Sequence, residues 1–574
     1  MSKKFTLLLA LFIVLALAFT ACNRNGGNGA ADDTGGAEET RQQDPPATQE
    51  DDNGDEDEQP PADDGVIVGP RTASGFQPLS TLRSDAEGTI TVLTGGNNEM
   101  FWDITAQPLI EIATEENWGS LLGIYSAARA FQELFPNIRF NVMAVEYFKN
   151  ASYLPFSQGL LNSYAQWGIM PDMWETHDLV LHVLQGEVSD LARFSEEESF
   201  NVFNETLMDM MNYYGFQGGL PAWFTSWAIL VNIELAEQLN IEVPPFNWNY
   251  DQYVNFISNA DMVNVIGDVW TAGFFVELGA RDVAWSATRY GHVNFDTPEV
   301  RRLLDLHHRA ARYTLWSNYT EPGVAEMIEA AGWWDQLLFA NNQMLADNFG
   351  GWRFGAHANP YHSLYMPGRW DFFPMPGSNE MGPSLAYVFD PVVIRNFAGE
   401  PNADHQLDIT YAFAAFMYGS LEGYMARQTP GIEVLDAYGT PVFQRNVLDT
   451  WPVVRQPYFD QQMEIWYGNQ SPRIREMPGF RNLQQLVLDG QIWSRCARTF
   501  PDTYVLDGQV RSAFAEWYRR EDEEVIGVPI SDPAWPDRVK ARLAEWTELT
   551  NERLILANES IRDALTRFYG FEFD

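Results

Sequence analysis

The groups in this chain with chemistry to offer are one well-placed thiol, many tryptophans and a large excess of carboxylates. Cys22 follows a basic start (Lys3, Lys4), an apolar run from Phe5 to about Ala18 and the small residues Thr20 and Ala21. That order reads as a secretory signal, and a Cys at the cleavage point is a thiol placed to take a lipid as the first mature residue. The apolar run is about 15 residues, short of the ~20 that span a bilayer; a membrane anchor and plain secretion are the other readings. The 20 Trp residues have apolar faces and an N–H that needs a partner, which suits the flat C–H faces and hydroxyl rims of sugars. Two carboxylates held ~5–9.5 Å apart would cleave glycosides. With 79 Asp and Glu such a pair is easy to imagine, but nothing in the local sequence selects one.

Other chemistries find no support. There is no phosphate-binding Gly-x-x-x-x-Gly-Lys loop, no Gly-x-Ser-x-Gly and no Cys pair for zinc. His307 and His308 are adjacent on a helical stretch and cannot share a face, and His357 and His362 bracket a Pro-containing loop. No cofactor or metal is expected. The net charge is -43 and two of the four Lys lie in the signal, so the basic footprint of a nucleic-acid binder is missing. If Cys22 carries lipid, Cys496 has no disulfide partner, and core burial must hold the exported protein together.

These groups need elements to position them. From Asn23 to about Gly65 the chain is Gly, Asn, Asp, Glu, Gln and Pro, with 14 acidic residues against Arg24 and Arg41. It cannot bury enough surface to fold. DDNGDEDE at 51–58 has its glycine misplaced for a calcium loop and reads as solvated spacer. A coil of ~60 residues reaches roughly 45 Å. Folding is expected from near Gly88. TITVL (89–93) alternates as a strand and ends in Asn97 and Asn98; Leu121, Ile124, Ala128, Phe131 and Phe135 recur at helical spacing, and Ile138–Val142 alternates again. Met173 lies in a further short strand, Asp172 to Glu175. Strands alternating with helices predict an α/β protein with a parallel sheet.

In chain order, several blocks now resemble a known family. They are AARAFQELFPNIRFNV (127–142), GIMPDMWETHDL (168–179), the long block from Gly218 to Ile257, NNQMLADNFGGWRFG (341–355), WDFFPMPG (370–377), LAYVFDPVVI (385–394) and the stretch from Ala412 to Val442. Together they look like the extracellular solute-binding proteins of ABC importers, in the maltose- and oligosaccharide-binding branch. Val231-Asn232 and Asn240-Ile241 stand where the family has Tyr-Asn and Gly-Ile.

The resemblance implies an α/β, two-lobed, type II periplasmic-binding-protein-like fold with a ligand cleft between lobes joined by crossing strands. The crossings are expected near Ala222–Asn232, Leu385–Ile394 and Gly439–Val442. It divides the chain into a signal peptide (1–21), a lipidated Cys with an acidic linker (22–85), lobe I (86–222 plus 388–440) and lobe II (223–387 plus 441–574). It implies a non-enzymatic monomer, lipid-anchored outside the bacterial cell membrane, that binds a carbohydrate and serves a permease. A peptide or other non-sugar ligand in the same fold, or a glycoside hydrolase, are the alternatives. Trp352, after Gly350-Gly351, matches a position whose ring often stacks on sugar. Trp223, Thr225 and Trp227 flank the first crossing, and strand alternation puts them on one face; core packing is the other reading. Glu175, Thr176, His177 and Asp178 follow the Pro-Asp strand, where Asp178 can accept paired hydroxyl hydrogen bonds or cap a helix. Asn97 ends the first strand and is equally suited to a turn. Tyr387 and Asp390 lie on the return strand; Trp466, Tyr467 and Arg473 follow the third crossing. Trp333 and Trp334 read as helix packing.

Overall fold

The computed structural model describes residues 69–96, 100–104, 120–146, 168–176, 179–260, 265–268, 293–311, 313–315, 322–330, 338–339, 341–350, 368–378, 382–383, 385–428, 430–435, 441–445, 450–468, 472–494 and 532–573. The first strand extends beyond TITVL to β1, Gly88–Gly96, and is followed by β2, Met100–Asp103. The helical spacing becomes α1, Ser120–Gln132, which buries Ile124, Ala127, Ala128 and Phe131. Pro136 then bars any continuation. β3 (Ile138–Glu146), β4 (Met173–Glu175), α2 (Leu179–Gln185) and β5 (Leu220–Asn232) follow. α3 (Tyr250–Ile257) starts from a capping box in which Asn249 and Gln252 satisfy each other's backbone N–H. α4 is Pro298–Ala311, and β6 (Ala346–Gly350), β7 (Trp370–Phe373) and β8 (Leu385–Ile394) come next. The rest comprises α5 (Ala403–Gly419), α6 (Leu421–Arg427), α7 (Tyr458–Gly468), α8 (Pro478–Leu488), β9 (Ile492–Ser494) and α9 (Trp535–Tyr569).

A nine-stranded sheet runs β2-β3-β1-β4-β8-β5-β6, with β9 paired to β8 and β7 paired to β5. β1 is parallel to β3 and to β4, as expected. β8 is antiparallel to β4 and β5, so the sheet is mixed rather than parallel. The cause is connectivity: β8 returns from late in the chain and enters between β4 and β5 from the opposite end.

β5 and β8 link two groups of strands. β5 pairs with β8 from Leu220 to Trp227, then with β6 and β7 from Trp227 to Asn232. β8 pairs with β4 through Val392–Ile394 and with β9 through Leu385–Tyr387. β5 is buried at every position, as a central strand covered on both faces must be. Of the expected third crossing, Gly439 and Thr440 lie outside the described residues. Pro441–Arg445 forms a separate hairpin with Pro430–Leu435. Thr450 and Trp451 meet β5, where Trp451 N donates to Phe224 O at 2.8 Å and Phe224 N donates to Thr450 Oγ1 at 2.9 Å, and the chain then turns to pair Val454 with Phe203.

The main core sits between this sheet and α1 and α5. α5 is apolar nearly all round and buried from Ile409 to Gly419, as such a helix requires. Phe413 meets Phe140 at 4.6 Å and Phe131 at 5.3 Å. The folded part also takes in residues before the expected 86, from Gly69 on. Phe76, Leu79 and Leu82 enter the core. Ser74 donates to Glu422 through both N and Oγ (2.6 and 2.8 Å), and Ser80 does the same to Glu197 (3.0 and 2.8 Å). Three apolar side chains at short spacing outweigh the polar composition around them. Among the described residues no helix is long and apolar enough to cross a membrane.

Candidate functional site

The register of β5 on β8 pairs Trp223 with Asp390, Thr225 with Val388 and Trp227 with Ala386. Paired residues share a face of the sheet, so Trp223, Thr225, Trp227 and Asp390 lie together. All four are buried, at 7, 0, 4 and 6 % exposure. The register shifts between Asp390 and Pro391, leaving Ala222 as the extra residue. A bulge of this kind bends the strand and re-aims the side chains beside it. Tyr387 pairs with Ser226, one position out of step with the set.

The end of β4 adjoins this face. Glu175 pairs with Val392, two residues along β8 from Asp390, so Glu175 and Asp390 are on the same side. Tyr418 of α5 donates its O–H to Glu175 Oε1 at 2.9 Å. The Arg427 guanidinium lies over the Tyr418 ring, 4.6 Å from its centre, and is buried. Thr176 is fully buried and faces a histidine rather than open space. Its Oγ1 lies 3.0 Å from His182 Nε2, which also accepts from Trp174 Nε1 at 3.3 Å. An indole N–H can only donate, so the His182 proton sits on Nδ1, which meets Glu187 Oε2 at 2.6 Å. Below β4, Asp172 accepts from Thr91 N at 2.7 Å and pairs with Arg395 at 3.2 Å. Burial nonetheless pushes its carboxyl above the usual carboxylate range.

Trp466 belongs elsewhere. Its ring is fully buried and stacks on Phe480 at 5.5 Å, so its place is in the core. Tyr467 donates to Gln484 Oε1 at 2.9 Å, and the Arg473 guanidinium covers the Trp370 ring at 4.6 Å. These three pack α7 and its neighbours onto α8 and β7, and none joins Trp223. Trp352, Asn97, Asn98, His177, Asp178, Trp333, Trp334 and Cys22 lie outside the described residues. Sequence reasoning missed His182, Tyr418 and Arg427. His182 and Tyr418 sit in apolar helical runs, LVLHVL and AFAAFMYG, where each reads as a core residue. Among the described residues no group of three His, Cys, Asp or Glu could hold a metal ion.

No protein-family model matches the chain, and no curated protein does. Solved structures do. A sugar transporter from Rhizobium etli, in an open conformation, is matched over 80 % of this chain and 99 % of its own, with TM-score 0.50 and 13 % identity. The chain has the two-lobed periplasmic-binding-protein-like fold. An extracellular solute-binding protein from Alicyclobacillus acidocaldarius is matched over 82 % of this chain and 99 % of its own (TM-score 0.48, 12 % identity). An ABC substrate-binding protein from Listeria monocytogenes in complex with cycloalternan is matched over 85 % and 100 % (TM-score 0.44, 14 % identity). The long strands that link the two strand groups, β5 and β8, carry the Trp223–Asp390 face.

Proposed function

We propose that the chain captures a carbohydrate, an oligosaccharide, between its lobes and delivers it to an ABC permease. The observation that carries this is the shared face: two indoles, a hydroxyl and a carboxylate meet where β5 and β8 pass between the strand groups. Trp223 and Trp227 supply flat apolar surface for sugar rings, and Asp390 and Glu175 accept hydrogen bonds from adjacent hydroxyls. The set lies at strand ends and crossings, where open α/β sheets bind ligands. Because Trp223 and Trp227 are buried, a ligand reaches them only when the lobes part. Its contacts with both lobes then favour the closed form by differential affinity. No bond is broken in this cycle. In this reading Trp352 and Asp178 complete the site, the mature chain is held to the outer face of the cell membrane by a lipid on Cys22, and it acts as a monomer.

Intrinsic Trp fluorescence and titration calorimetry against oligosaccharides and, separately, peptides test the reading. The expected result is a fluorescence shift and saturable heat with an oligosaccharide, which chromatography recovers intact. Saturation by peptides alone would move the protein to a non-sugar binder of the same fold. Cleavage of the sugar that disappears with one carboxylate would make it a glycoside hydrolase.

A further inference from the structure

α9 takes no part in the site. It runs for 35 residues, about 50 Å at 1.5 Å per residue. After Pro536 it contains no Gly or Pro. Val539, Leu543, Trp546, Thr550, Leu554, Ala557, Ile561 and Leu565 are buried at intervals of three and four residues, so one continuous face is packed from end to end.

Its polar and aromatic anchors fall into two sets. Midway, Asn551 accepts from Val293 N at 2.7 Å and donates to Val293 O at 3.0 Å, and Thr547 Oγ1 accepts from Phe295 N at 3.0 Å. At the far end, Tyr569 donates to Val188 O at 2.7 Å and its ring meets Phe216 at 4.4 Å. The neighbouring Phe568 ring covers Gly186, where a Cβ would lie 2.5 Å from it. The two sets grip different parts of the fold. Val188 and Phe216 precede β5, between α2 and the first crossing, whereas Val293 and Phe295 follow β5 by sixty or so residues, just before α4. Apolar residues of α9 are buried near both sets, and the main core takes in residues on either side of β5, Ile266 and Leu315 among them. Ile561 and Leu565 belong to the contiguous main core with Val188 and Phe216. Leu543 and Trp546, like Val293 and Phe295, are buried outside that core.

We propose that α9 is a strap across the interlobe hinge, pinned to lobe I by Tyr569 and to lobe II by Asn551 and Thr547. The proposal rests on the two-lobed capture reading for its lobe assignment, and it reassigns the end of the tail from lobe II to lobe I. A continuous helix hydrogen-bonded along its length does not stretch. Lobes that rotate apart must either pivot about the helix or break one anchor set. The strap thus limits opening and favours one direction of rotation.

The test is ligand-free. In the full chain with Cys22→Ser and Cys496→Ser, nitroxides at Glu133→Cys and Gln238→Cys, both exposed, report the interlobe distance by double electron–electron resonance. Thr547→Val with Asn551→Leu releases the middle anchor, and Tyr569→Phe weakens the end anchor. Glu559→Pro, at an exposed position between them, kinks the helix and leaves both anchors intact. Each should shift the distance distribution to longer and broader values while the circular dichroism melt stays cooperative. A strap acts only when both ends are held, so adding Tyr569→Phe to the middle release should change little beyond the middle release alone. Unchanged distributions in all three variants, or full additivity of the two releases, would overturn the proposal. No sugar is present, so a failure to bind oligosaccharide would sink the capture reading and leave this result standing.

Discussion

The Trp223–Asp390 face and the α7–α8 contact are both rich in aromatic rings, and they use them differently. Phe480 is surrounded by rings, with Trp451 at 5.2 Å, Phe372 at 5.4 Å and Trp466 stacked at 5.5 Å. Trp223 instead stands in register with a carboxylate and two places from a buried hydroxyl. A ring enclosed by rings contributes dispersion and buried area, and nothing in its surroundings is specific to a ligand. A ring interleaved with hydrogen-bonding groups on a strand between lobes offers both a surface and a direction. Composition treats the two as equal; neighbours separate them.

The comparison can be broken at several points. Trp466→Ala should have the largest effect, about 3–5 kcal/mol of stability lost to the cavity it leaves, read as a lower midpoint in urea. If it weakened sugar binding without lowering the midpoint, its core placement would be wrong. Trp223→Ala should act the other way, with affinity for a bound oligosaccharide falling roughly 10- to 100-fold, about 1–3 kcal/mol as for a buried aromatic contact. A large stability loss with unchanged affinity would return Trp223 to the core.

His182→Leu sharpens the contrast at the end of β4. It removes the acceptor of the buried Trp174 Nε1 and one contact each of Thr176 Oγ1 and Glu187, at a cost of about 1–3 kcal/mol for a buried donor left unmade. A melt matching the parent would mean that this network does not order the strand end.

The smallest effect concerns pH. Burial raises the carboxyls of Asp172, beside Arg395, and Asp371, which accepts from Gly479 N, above their ordinary value. An acid whose folded pKa is raised binds more protons folded than unfolded between the two values, so stability falls as pH rises through that window. The net charge of -43 adds self-repulsion of the same sign. The melting temperature should therefore fall as pH rises from about 4, the ordinary carboxylate value, and a rise over the same range would refute this assignment.

Much of the fold was legible because its signals are local. Ile90 and Val92 alternate, Ile124 to Phe131 repeat at helical spacing, and Pro136 marks a stop; all three features fall where expected. The alternation of Trp223, Thr225 and Trp227 predicts their common face, and the register bears it out. The segment at 439–442 reads as a strand equally well in a crossing or a hairpin, and only pairing shows that Pro441 and Val442 belong to a hairpin. Ser74 and Ser80 look like linker until Glu422 and Glu197 are found beside them.

By itself the sequence determined the α/β class, the acidic composition of residues 23–65 and the residue types available on each strand and helix. Each depends on composition or on periods of two and 3.6 residues, which any short window contains. Only the tertiary structure decided that Asp390 faces Trp223, that Tyr418 holds Glu175, that Trp466 is core, and that α9 grips segments on both sides of β5. Those pairs are separated by up to several hundred residues in the chain. Strand register and helix packing bring them together, and neither is written in any local stretch.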